Sequence, residues 1–188
     1  MKKTIWVILG VVIIIVAWLW SSYNKLVTAN EGVDGQWAQV ETQYQRRFDL
    51  IPNFVASVKG AMEQEQTVFG DLAEARTRYS GAQSVNDKAT AATEVESALS
   101  RLLVVMENYP ELKSMETVQT LMAQLEGAEN RVSVERGRFN DAVRSFNVMT
   151  KRIPTNIIAN WFGFSEKNYF EAVEAAAEAP VVNLELND

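Results

Sequence analysis

From Ile5 to Trp20 sixteen consecutive residues carry no charge and no strongly polar side chain, and Thr4 with Ser21 to Tyr23 stretches the uncharged run to twenty. At 1.5 Å per residue, twenty helical residues reach about 30 Å, the hydrocarbon thickness of a bilayer. A cleaved signal peptide shares the basic start, but its apolar region is shorter and small residues precede its cut. Here the run ends in Trp18, Leu19, Trp20 and Tyr23, an interfacial aromatic belt without an A-x-A-like site. A buried core helix is the third reading. The favoured one is an uncleaved transmembrane anchor over residues 1–23, with the lipid bilayer as partner through residues 5–23.

Lys2 and Lys3 stand before the span and only Lys25 follows closely, with Glu31 and Asp34 beyond. The positive-inside rule then predicts a single-pass protein of a cytoplasmic (inner) membrane, its N-terminus cytoplasmic and its C-terminal domain periplasmic or extracellular. Of 18 basic and 24 acidic residues, three cations and no anion fall in residues 1–25, which leaves 15 against 24, a net of −9, for the remainder. That balance repels phosphate backbones, so no nucleic acid is expected as partner, and the domain should not lie flat on an anionic leaflet. The chain has no Cys and no His. This excludes Cys or His nucleophiles, an imidazole base, and the usual ligands of zinc, haem iron or iron–sulfur clusters. No enzyme activity and no cofactor are expected.

Past the span, apolar residues recur in alternating steps of three and four. Leu26, Val33, Val40, Phe54 and Val68 form one heptad register and Trp37, Tyr44, Ile51, Val58 and Leu72 the other. This predicts one long helix out of the membrane, kinked rather than ended by Pro52, weakened by Gly60 and Gly70, and stopped by the cluster Tyr79, Ser80, Gly81. A second helix is predicted over about Asp87 to Asn108. A third runs from an N-cap at Ser114 to about Arg152, and a short fourth from Ser165 to about Glu178. No segment alternates with period two over a useful length. The expected fold class is all-α: an N-terminal transmembrane helix continuing into an extended antiparallel bundle over residues 24–179, with a flexible acidic tail over 180–188.

Five seam slots are polar. Asn30, Arg47 and Glu65 occupy them on the first helix, Glu129 and Arg136 on the third. Isolated buried charges cost several kcal/mol, so Arg47 and Arg136 are expected to pair with Glu65 and Glu129. A register-setting polar layer is the favoured reading. Register drift past Pro52, and a buried ligand or proton-coupled switch, are the alternatives. A hydrolase using Glu65 and Glu129 lacks any accompanying nucleophile or oxyanion donor. Residues 155–164 read as an aromatic loop, in which Trp161, Phe162 and Phe164 either cap the bundle or form a patch for a partner protein.

The strings Arg46-Arg47-Phe48-Asp49-Leu50-Ile51-Pro52-Asn53-Phe54-Val55 and Glu107-Asn108-Tyr109-Pro110-Glu111-Leu112-Lys113 are specific. So are Glu129-Asn130-Arg131-Val132 and the pairs Phe139-Asn140 and Phe146-Asn147. Together they resemble the signature of the LemA family over nearly the whole chain. The family usually has Tyr in place of Phe139 and Phe146, so these two rings should pack rather than perform chemistry. The resemblance implies a bacterial single-pass membrane protein with a helical-bundle domain and no established enzyme activity. Genes of the family often neighbour those for membrane metalloproteases or TPM-domain proteins. The expected function is a membrane-anchored scaffold or interaction protein of the bacterial envelope, bound to another envelope protein such as a membrane metalloprotease, or to itself as a homo-oligomer. The alternative is an extracytoplasmic sensor-like domain signalling through a transmembrane partner.

Overall fold

The structure is a computed structural model that describes residues 2–170. Among these residues it is all helix and connection, without strands. Helix α1 (Lys2–Val58) is continuous over 57 residues, about 85 Å at 1.5 Å per residue. Its first third is the apolar span, which is exposed among the described residues up to Trp18. From Leu26 onward one face turns inward, and Leu26, Val33, Val40, Tyr44, Ile51, Phe54 and Val58 are all buried. The helix passes through Pro52, which lies on the solvent side where water can take the carbonyl that proline leaves unbonded.

The break comes later than proline, at Lys59–Glu65. Gly60 gives up about 1 kcal/mol of helix propensity there, and the buried Met62 plugs the turn. Helix α2 (Gln66–Gly81) then returns antiparallel to α3 (Val85–Val105), tied by Arg78–Glu94 at 3.0 Å and Arg101–Asp71 at 3.3 Å. Ser84 caps α3, its hydroxyl accepting from the Asp87 amide at 3.0 Å. A 3-10 turn (Met106–Asn108) and one turn of helix, α4 (Pro110–Lys113), lead to α5 (Glu116–Lys151). The predicted N-cap at Ser114 is corrected. Its hydroxyl donates to the Glu111 carbonyl at 2.7 Å, and Met115 holds the cap position without a side-chain bond.

Helix α5 runs antiparallel to α1. Leu121 lies beside Asn53 and Ser57, Glu135 accepts from Gln36 at 2.7 Å, Phe139 meets Trp37, and Met149 packs near Leu26. The α2–α3 hairpin covers this pair at the level of Glu41 and beyond, through Lys88–Glu41 and Tyr79 against Tyr44 and Phe48. Each large side chain buried in this seam contributes about 1.5–3 kcal/mol.

Two further expectations are corrected at the C-terminal end. Residues predicted as an aromatic loop form helix α6 (Thr155–Phe162), closed by Gly163 in the left-handed conformation at φ 76°. No Gly or Pro interrupts Thr155–Phe162, and Ile158 with Ala159 gives the segment a buried side against Leu26. Ser165–Phe170, predicted to open the fourth helix, is instead non-helical. It runs back between α1 and α5, where side-chain amides hold its backbone. The rest of that predicted helix and the 180–188 tail lie outside the described residues.

Candidate functional site

At mid-height of the bundle the seam is charged. Helix α1 supplies Tyr44 and Arg47, α3 supplies Glu96, and α5 supplies Glu129 and Arg136. Arg47 Nη1 bonds Glu96 Oε1 at 3.2 Å and also contacts Glu129. Arg136 reaches the same Glu96 oxygen, and its Nε donates to the Tyr44 hydroxyl at 2.8 Å. The guanidinium of Arg136 also sits over the rings of Phe170, 4.6 Å from the centroid, and Tyr44, at 5.2 Å. Two cations and two anions cancel, so the layer is neutral and cross-links three helices.

Burial sets the electrostatics. Desolvation pushes the Glu96 carboxyl above the ordinary carboxylate range against the opposing pull of Arg136 and Arg47. It also drives the Tyr44 phenol far upward, so Tyr44 stays protonated while accepting from Arg136. Arg47 is buried, and its Nε has no partner among the described residues. The chemistry available here is mutual neutralisation.

Of the five polar seam positions predicted, Arg47, Glu129 and Arg136 meet in this layer, and two do not. Asn30 is half-exposed and donates to Asp34 at 3.3 Å on its own helix. The α2–α3 hairpin does not reach down to its level, so the slot is at the seam's edge. Glu65 lies in the connector after Val58 and accepts from the Tyr109 hydroxyl at 3.4 Å. Its core slot existed only while the first helix was extended past Gly60. Glu65 and Glu129 thus have separate partners, which removes the carboxylate pair from consideration. Glu96 was missed, although it follows Ala92 by four residues and precedes Leu99 by three, the spacing of a seam slot.

Two amides on α5 hold the non-helical segment. Asn147 Nδ2 donates to the Lys167 carbonyl at 2.9 Å and its Oδ1 accepts from the Lys167 amide at 2.9 Å. Asn140 repeats this with Phe170, at 3.0 and 2.8 Å. Phe139 and Phe146, the rings preceding these amides, are both buried. At the same two residues, Lys167 Nζ bonds Asp34 at 2.6 Å, and Phe170 packs near the rings of Trp37 and Tyr44.

The aromatic patch is divided. Phe164 is partly buried, its ring 6.0 Å from Tyr23 and 6.3 Å from Phe146. Trp161 and Phe162 are exposed on α6, as are Ile153 just before the helix and Ile157 within it.

Comparison with known proteins agrees with the helical, membrane-associated reading. The sequence model described as the LemA family matches residues 36–184. Magnetosome protein MamQ 1 and Magnetosome protein MamQ 2 of Paramagnetospirillum magneticum are each 24% identical over 201 aligned positions, covering 93% of this chain and 74% of theirs. Magnetosome protein MamQ of Magnetospirillum gryphiswaldense is 23% identical over 186, covering 85% of this chain and 68% of its own. Neither the family description nor these names specify an enzyme activity.

Proposed function

The chain belongs to the LemA family, and from that premise we propose that it is a membrane-anchored scaffold of the bacterial envelope whose bundle binds another envelope protein. The observation that carries this is the continuity of α1. One helix spans the bilayer and then forms a wall of the bundle, so the bundle stands at a fixed height and orientation above the membrane. A rigid mount of that kind suits a protein that positions something else. The neutral charged layer and the clasped C-terminal segment both hold that mount together. Relatives named as magnetosome proteins fit a part in an assembled structure. With Lys2 and Lys3 at the cytoplasmic face, the bundle stands on the far side of the inner membrane, where a membrane protease is the first partner class to examine.

The test is mild crosslinking of the tagged full-length protein in intact cells, followed by purification in detergent, mass spectrometry of the bound material and sizing of the complex. A stoichiometric envelope protein is the expected result. A monomer that retains nothing overturns the proposal, and a homo-oligomer alone replaces it with self-assembly.

A further inference from the structure

We propose that helix α6 is a second membrane-contacting element, lying in the interfacial zone of the same bilayer that α1 spans, with Ile153, Ile157 and Trp161 turned toward the lipid. The first argument is height. The apolar run ends at Trp20, and α6 packs beside that end: Ile158 and Ala159 sit against Leu26, and Leu19 joins the same cluster. The ring of Phe162 lies 4.6 Å from that of Tyr23, a residue three positions past Trp20, or about 4.5 Å along the axis. A helix held between the levels of Leu19 and Leu26 is within the headgroup zone by construction.

The second argument is the face it shows. Ile157 and Trp161 stand four residues apart, which places them along one side of the helix, away from the Leu26 contact, and Ile153 is exposed in the turn that leads into it. Their exposures are 50%, 75% and 77%. Ile158 and Ala159 are buried, so α6 has two apolar sides, of which the described residues of the bundle cover one.

The occupant follows from continuity. Helix α6 meets the end of the span through Phe162 on Tyr23 and the cluster that includes Leu19, where Trp18 and Trp20 are exposed as the aromatic belt, and Trp161 adds an exposed ring from a different element. Lys25 and Arg152 are exposed beside it, where an ammonium and a guanidinium can meet lipid phosphates. The acidic body of the domain does not take part. Contact is made by one end, so the bundle stands upright on two supports rather than lying flat. This does not depend on the identity of any protein partner.

The chain has no cysteine, so Trp161→Cys and Ile157→Cys each introduce a single thiol at an exposed position for a nitroxide label. Full-length protein is reconstituted into phosphatidylcholine vesicles at low protein density, and collision of the label with oxygen, which enters lipid, and with a nickel chelate, which stays in water, is read by power-saturation EPR. Trp20→Cys is the lipid-boundary reference and Arg144→Cys the aqueous one. Labels at 157 and 161 are expected to give an oxygen-to-nickel ratio several-fold above that of Arg144→Cys and close to that of Trp20→Cys. A ratio equal to the aqueous reference overturns the proposal. So does shielding from both agents with dipolar broadening that disappears on dilution with unlabelled protein, which would mean that a second copy covers the stripe. Because the vesicles contain no other protein, this result stands apart from the search for an envelope partner.

Discussion

Removing the cation at the centre of the charged layer should be costly, while removing the whole layer should not. Arg47→Met leaves Glu96 with Arg136 alone and Glu129 without the contact it now makes to Arg47. Deleting one partner of a well-buried pair costs about 3–5 kcal/mol. Two features lower that figure. The Glu129 side chain is 37% exposed and can recruit water, and the orphaned Arg47 Nε, a buried donor worth about 1–3 kcal/mol of desolvation, disappears with the guanidinium. The expected loss is about 2 kcal/mol, and a domain of this size loses roughly 2–4 °C of melting temperature per kcal/mol, hence about 4–8 °C. The assay is thermal unfolding of the full-length protein in detergent, followed by near-ultraviolet circular dichroism so that tertiary packing rather than helix content is read. Arg78→Met, which breaks the exposed pairs to Glu74 and Glu94, is the control and should leave the midpoint unchanged. The fivefold variant Tyr44→Phe, Arg47→Met, Glu96→Leu, Glu129→Leu, Arg136→Met should melt at or above the wild type, since apolar side chains of similar volume avoid the desolvation of four charges. If Arg47→Met melts within 1 °C of wild type, or the fivefold variant falls further than the single one, the account of this layer is wrong.

Glu96 should give the protein a pH dependence opposite to that of an ordinary paired carboxylate. Burial raises its pKa in the fold, so the native state holds the proton more tightly than the unfolded chain. Its contribution is then present below the unfolded value, about 4.3, and is lost as pH rises through the folded value. The melting temperature of wild type minus that of Glu96→Gln should therefore decline as pH is raised from about 4.3, and a rising difference would contradict the burial argument. Asn147→Ala removes two hydrogen bonds worth about 1 kcal/mol each and should speed hydrogen exchange at the Lys167 amide, with Asn140→Ala doing the same at Phe170. Unchanged protection at either amide in its own variant would show that the segment is held by its rings alone.

Much of this fold was legible in the sequence, and the failures share a cause. The span was readable because nothing from Thr4 to Tyr23 breaks its apolar character, and the α1–α5 seam because three-and-four spacing is the geometry of a helix facing another helix. Glu65 was placed in the core by carrying that spacing across Gly60, where the helix stops. Asn30 was placed there by the same count, at a height where the covering hairpin is absent. Spacing reports which face a residue occupies, not whether anything lies opposite. Glu96 went unnoticed for the complementary reason: its slot is plain once Ala92 and Leu99 are known to face the seam, but an alanine gives the pattern little contrast. Helix α6 was lost to its length, since eight residues give barely two turns of periodicity, and its aromatic content suggested a loop. The clasps on Lys167 and Phe170 could not be read from spacing, because they join a helix to a non-helical segment and the two have different repeats.

Those two repeats nonetheless match, and the match explains why a Phe-Asn pair occurs twice, seven residues apart. Seven helical residues advance about 10.5 Å, so Asn140 and Asn147 present their amides at that separation. Three residues of extended chain advance about 10 Å, which is the step from Lys167 to Phe170. One heptad on α5 therefore serves one three-residue step of the segment beside it, and both amides reach a peptide group without strain. Adjacent helix positions differ by about 100° around the axis, so each pair sends its ring into the seam with α1 and its amide into the neighbouring groove. The segment so held begins at Phe164, against Tyr23 at the membrane end, and finishes at Phe170, against the guanidinium of Arg136 in the charged layer. It is thus a direct physical tie between the foot of the bundle and its charged centre. Loss of either clasp should loosen the Phe170 ring from Arg136, which connects the bilayer end of the molecule to its middle by a path that does not run through α1.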